Sequence, residues 1–361
     1  MYRPIATALL ALALGACFEA APEPGYPEPC GKDRCPLAMW SEFMPPAEVQ
    51  DALPFLERHG LRLFQAIHHD QLGDPGLAAL FRAAGRRGIE SRAWLLLDYP
   101  QGYWPNEENV DAFAAQARAF MLWAERERLP VQWITVDMEL DWDRTHELED
   151  ELTSVSGIVE FARQTLDREA HLAARARYQG LVEEAHQRGF LVHCVTYPMV
   201  LDDHGDSDPA IQDVLNVPVE GIGWDQVSFM VYRSRYRAMW DPAMTSYLVY
   251  DYARDALFHY GERAALDLGI TAPHPDAEAD YPLGPGAPTG YAEYHELAED
   301  IAAAEAAGVP SIHLYGLDFV LQYPEPERWF DTSGLPAQPP ERDGPSEQIR
   351  ELFSTLDLAF D

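Results

Sequence analysis

Asp137 and Glu139 end an apolar run that holds Val131, Trp133, Ile134 and Val136. Side chains alternate faces along a strand, so the two acids point one way and Met138 points the other. Two carboxyl groups on one face suit general acid/base work, because burial and a like-charged neighbour let one keep its proton near neutral pH. The plainer account is a strand end running into an acidic loop, since Asp141, Asp143, Glu147, Glu149, Asp150 and Glu151 follow. What surrounds the pair decides between the two.

Further acids fall at other strand ends: Asp98, Asp267 and Asp318. A retaining glycosidase would pair Glu139 with one of them about 5 Å away, whereas loop capping or arginine pairing is their structural use, arginine pairing being expected for Asp267. Aromatic residues fall in the same places, and Trp40, Trp142 and Tyr315 are the candidates for stacking on sugar faces. His68-His69-Asp70, with His193 and His313, would be the material of a metal-dependent hydrolase. Adjacent strand residues face opposite ways, so His68 and His69 cannot both point inward unless the strand has ended, and a hydrogen-bonded histidine is expected instead. No metal and no cofactor is assigned. Neither a G-x-S-x-G elbow nor a catalytic cysteine arrangement is present.

The elements that must position these residues repeat. Apolar runs at 37–40, 61–67, 91–97, 131–136, 190–195, 226–231, 264–270 and 311–317 read as eight strands. Amphipathic helices are predicted over 46–58, 75–84, 110–127, 157–187, 242–259, 291–307 and 346–356, with a weak one near 209–215. Gly60, Gly88, Gly189 and Gly308 each stand just past a helix and ahead of a strand. Eight strands alternating with helices predict a single-domain α/β fold over 37–361, a (β/α)8 TIM barrel with long loops at the C-terminal face, where active sites are built. An open doubly wound sheet lacks the glycine-rich phosphate loop it would need after the first strand.

With the barrel in place, the chain resembles glycoside hydrolase family 18, the chitinase-like barrels. That family ends its fourth strand in D-x-x-D-x-D-x-E; the corresponding run is Gln132-Trp133-Ile134-Thr135-Val136-Asp137-Met138-Glu139, which keeps the final D-x-E and replaces the two upstream acids. Met230 and Tyr232 match the family's sixth-strand M-x-Y pattern, with Arg233 where an acid or amide follows, and Tyr315 stands where a tryptophan usually forms the sugar platform. The resemblance implies that Glu139 is the general acid/base and that the substrate's 2-acetamido group is the nucleophile. Asp137 would then orient the acetamide and Tyr232 hold its oxygen. Arg233 would be an ion partner or a site for an anionic substrate group. The expected function is hydrolysis of an N-acetylated or related glycan, with Asp98 and Asp318 as further substrate contacts. A non-catalytic carbohydrate-binding barrel is the alternative.

Residues 1–16 carry Arg3 and then a short apolar stretch, and Leu14-Gly15-Ala16-Cys17 closes it. This resembles a bacterial lipoprotein signal peptide, which implies lipidation of Cys17 and anchorage at the cell envelope, on the outer membrane in a Gram-negative cell. Residues 17–36 hold five prolines and read as a tether. Cys30 and Cys35 bracket four residues and could close a disulfide loop. A net charge of −34 and a single lysine, Lys32, argue against nucleic-acid partners.

Overall fold

The computed structural model describes residues 35–145, 155–203, 209–272, 290–291, 293–336 and 338–360. Cys17, Cys30 and the signal and tether residues up to 34 lie outside them. Eight parallel strands close into a barrel in sequence order: β1 Leu37–Ser41, β2 Arg62–His68, β3 Ser91–Leu96, β4 Trp133–Asp137, β5 Leu191–Thr196, β6 Gln226–Met230, β7 Ala264–Gly269 and β8 Ile312–Tyr315. β8 returns to β1 with Trp40 opposite Tyr315. The strands are nearly continuously buried because helices cover the sheet outside while side chains fill it inside.

The helices are α1 Pro46–His59, α2 Pro75–Arg86, α3 Val110–Glu127, α4 Val155–Thr165, α5 Arg168–Gln187, α6 Ala210–Val214, α7 Arg233–Met239, α8 Tyr247–Tyr260, α9 Tyr294–Ala307, α10 Leu317–Val320 and α11 Gly344–Phe360. The single helix expected over 157–187 is two. Asp167 interrupts it, its side chain accepting from the Ala170 amide as the N-cap of α5 while its own amide donates to Asp213. The helix expected from residue 242 starts later, and α7, unforeseen, turns directly out of β6. Arg128, in left-handed conformation, ends α3, and Gly60 and Gly308 end α1 and α9 in the same way, as the glycine pattern implies.

Inside the barrel the filling is stratified. At the N-terminal end Arg92 is buried, bonded to Gln226 and Glu90, with its guanidinium 4.0 Å from the centre of the Trp133 ring. Above it Trp40 stacks on Phe64 at 4.1 Å and meets Trp94 edge-on at 4.8 Å. Two histidines share this layer. His193 contacts Ser228 (2.8 Å) and Thr135 (3.4 Å), while His313 contacts Asp267 (3.0 Å) and Ser311 (3.1 Å). Each imidazole has both nitrogens engaged, and burial pushes both well toward the neutral form. They fill the interior and are not arranged as metal ligands. Cys35 and Pro36 are already docked on the barrel: the Pro36 carbonyl accepts from the Ile312 amide, and Cys35 Sγ lies 3.0 Å from the Val309 carbonyl.

Candidate active site

β4 delivers Asp137 to the C-terminal mouth, and the two residues that follow carry Glu139 to the same side. Asp137 is 4% exposed and Glu139 9%. Burial, then the charges of Glu139, Asp267 and Glu42, push the Asp137 carboxyl well above the usual carboxylate range. The buried indole N–H of Trp94 is the donor that acts on this carboxyl and partly opposes the rise, and neither Oδ1 nor the indole nitrogen makes a well-formed bond. A buried polar atom without a well-formed bond costs free energy, and such atoms in a cleft mark where a ligand's polar groups can bind. Burial raises Glu139 to about 7, opposed by the positive charge of Arg235 and a bond from the Tyr197 hydroxyl and reinforced by Glu42. A carboxyl that keeps its proton to that pH can act as a general acid near neutrality.

Tyr232, the N-terminal neighbour of α7, reaches the same space, where the charges of Asp267, Asp137, Glu139 and Glu42 all add to the rise in its pKa that burial begins. The structure thus brings Asp137, Glu139 and Tyr232 of the expected residues into one space. Sequence reasoning missed a fourth. Glu42, one residue beyond β1, accepts hydrogen bonds from the hydroxyls of Tyr103 (2.6 Å) and Tyr315. Burial, weakened by those two bonds, raises it to about 7. No motif signals Glu42; the two tyrosines that single it out meet it only when the barrel closes.

Asp318 serves Glu42. Its carboxylate accepts from Ser41 Oγ (3.2 Å) and from the amides of Glu42 and Met44 (both 2.9 Å), so it shapes the β1 loop and is 3% exposed. This is the loop-capping use, and it leaves no open face for a sugar. Asp267 pairs with no arginine; its Oδ1 accepts from the Trp40 indole (2.9 Å) and His313. Trp40 itself is 3% exposed beneath the mouth, its face covered by Phe64, so it cannot offer a stacking surface. Asp98 stands at the rim with His69 Nδ1 2.6 Å away. Trp142 joins a rim cluster from the β3 and β4 loops, with Trp104 at 5.4 Å and Tyr99 at 5.7 Å, and half-exposed Tyr99 stacks on Tyr103 at 4.5 Å. These rings, not Trp40, are the aromatics that line the rim.

Of the two uses considered for Arg233, the structure has the ion pair. Its guanidinium lies 2.6 Å from Asp300, donates to the Glu296 carbonyl and covers the Tyr291 ring, away from the mouth. Two residues later Arg235 is the cation whose charge acts on Glu139. The strand period that aims residue 232 inward is lost where α7 begins at Arg233, so counting along β6 picks the wrong arginine.

No protein-family model matches this sequence, and no curated protein does. Among solved structures, the chain is similar to the spore cortex-lytic enzyme SleL of Bacillus megaterium (12% identity, 82% of this chain and 72% of that one, TM-score 0.46). It is similar also to a β-N-acetylhexosaminidase (10% identity, 91% and 76%, TM-score 0.44) and to a D-psicose 3-epimerase (12% identity, 90% and 97%, TM-score 0.43). At identities of 10–12% and TM-scores of 0.43–0.46 these likenesses assign no activity to the chain.

Proposed function

We propose that the chain is a glycoside hydrolase of the cell envelope, acting on an N-acetylated or related glycan with Glu139 as general acid/base. One observation carries the reading: Glu139, holding its proton to about pH 7, shares a buried mouth with Asp137, itself raised well above the usual carboxylate range, and with Tyr232. In the substrate-assisted route implied by the family resemblance, Glu139 gives its proton to the glycosidic oxygen as the bond to the anomeric carbon breaks. The oxygen of the substrate's own acetamide attacks that carbon and forms an oxazolinium. Asp137 stabilises its N–H and Tyr232 holds its oxygen end. The Glu139 carboxylate then takes a proton from water, which opens the ring. The rim aromatics Tyr99, Trp104 and Trp142 would bind neighbouring sugars by stacking.

The expected result for Glu139→Gln is a fall in kcat of about 10²–10⁴-fold on envelope and chitin-type oligosaccharides. Unchanged hydrolysis would remove Glu139 from the chemistry. One observation favours the binding-barrel alternative: Thr135, where the family has an acid below Asp137, is buried against His193 and supplies no charge to tune it. Oligosaccharide binding without turnover, surviving Glu139→Gln, would establish that alternative. The envelope location rests on Cys17 as the lipidated residue. Fatty-acid labelling should be lost in Cys17→Ser, and its persistence would overturn the anchor.

A further inference from the structure

Outside the barrel mouth, three side chains with metal-ligating atoms meet in the interior. Glu107 comes from the segment between β3 and α3, His171 from the first turn of α5, and Asp213 from α6. All three are buried, and one ligating atom from each lies within 4.8 Å of the others; among the described residues this is the one such group. His171 Nδ1 is 2.5 Å from Glu107 Oε1, and Asp213 Oδ1 accepts from the Asp167 amide. From these contacts we propose that Glu107, His171 and Asp213 bind one divalent transition-metal ion, Zn2+ or Mn2+, that fastens the connections after β3, β4 and β5 to one another.

One imidazole with two carboxylates, their ligating atoms already within 4.8 Å of one another, is a borderline donor set that suits Zn2+ or Mn2+ better than Ca2+. Ligand bonds of about 2.0–2.2 Å would be reached by turning the Glu107 carboxyl so that its contact with His171 widens to about 3 Å. The backbone around the group is already held: the Glu107 amide donates to the Asn216 carbonyl (3.0 Å) and the Tyr178 hydroxyl to the Asn106 carbonyl (2.8 Å). The same segment carries Tyr103, which holds Glu42, and Trp104 of the rim, so an ion at Glu107 would steady one wall of the mouth from behind without touching substrate.

The test uses the full chain freed of metal with a chelator and titrated with Zn2+ and with Mn2+, following heat of binding and melting temperature. Saturable uptake of one equivalent per chain of either ion, with a rise of several degrees in Tm, is expected. Asp213→Asn and His171→Gln should each weaken uptake by more than about tenfold, the loss that changes even one shell further out can cause. No saturable binding and an unmoved Tm would show a histidine–carboxylate ion pair only. Equal affinity in both variants would place the ion elsewhere and overturn the site; should one variant fail to fold by circular dichroism, the folded one decides.

Discussion

Glu42 and Glu139 both hold protons to about pH 7, and burial is the first cause in each. Their neighbours then act in opposite senses: two tyrosine hydroxyls pull Glu42 down, while Glu42 itself pushes Glu139 up. A general acid must be protonated, so activity should fall as pH rises through about 7. Glu42→Gln removes a negative charge beside Glu139, lowers its pKa, and should move that alkaline limb to lower pH by up to about one unit. Arg235→Met should move it the other way. A kcat–pH profile checks both, and a limb unmoved in both variants would mean that Glu139 is not the group titrating. At this scale the sequence was partly legible. The period of two aligned Asp137 with Glu139 without any tertiary information. Glu42 was hidden because its partners Tyr103 and Tyr315 come from the segment after β3 and from β8, and Arg235 because a helix starts where the strand pattern ends.

Secondary elements were legible to a greater degree, since apolar runs mark all eight strands and helix-ending glycines precede four of them. What escaped was decided by single side chains, as where Asp167 caps α5 and so divides one amphipathic run into two. The last helix, α11, shows how such contacts hold the outer layer. Arg350 lies 2.7 Å from Asp202 and 2.8 Å from Asp251, bonds Asp255 as well, and stacks 4.1 Å above Tyr252. Asp202 is buried, and its carboxyl is raised to about 6 even with that arginine beside it. Arg350→Met would leave Asp202 an uncompensated buried charge. A loss of about 3–5 kcal/mol in urea unfolding is expected, and a loss below about 1 kcal/mol would show that α11 is held by its apolar face instead.

Across the whole molecule, acids dominate: 60 Asp and Glu against 26 Lys and Arg. Several of the buried ones have raised pKa values, Glu42 and Glu139 to about 7, Asp203 to about 8 and Asp300 to about 6. A carboxyl whose folded pKa exceeds its unfolded one favours the fold fully below the unfolded value, near 4 to 4.5, and loses that contribution as pH rises through the folded value. Melting temperature should therefore be higher at pH 5 than at pH 8, and added salt should raise it more at pH 8, where self-repulsion is greater. A flat or inverted pH dependence would mean that these carboxyls are solvated in the folded protein.

The bond between Tyr315 and Glu42 also sets a clock. The two residues are 273 positions apart, so at synthesis rates of about 5–20 residues per second the tyrosine leaves the ribosome roughly 15–55 s after the glutamate. Throughout that interval β1 lacks its β8 neighbour, and Glu42 lacks its second tyrosine. Burial, which raises Glu42, needs β8 beside β1, so the proton-holding character of the mouth is a product of the barrel's last closing step.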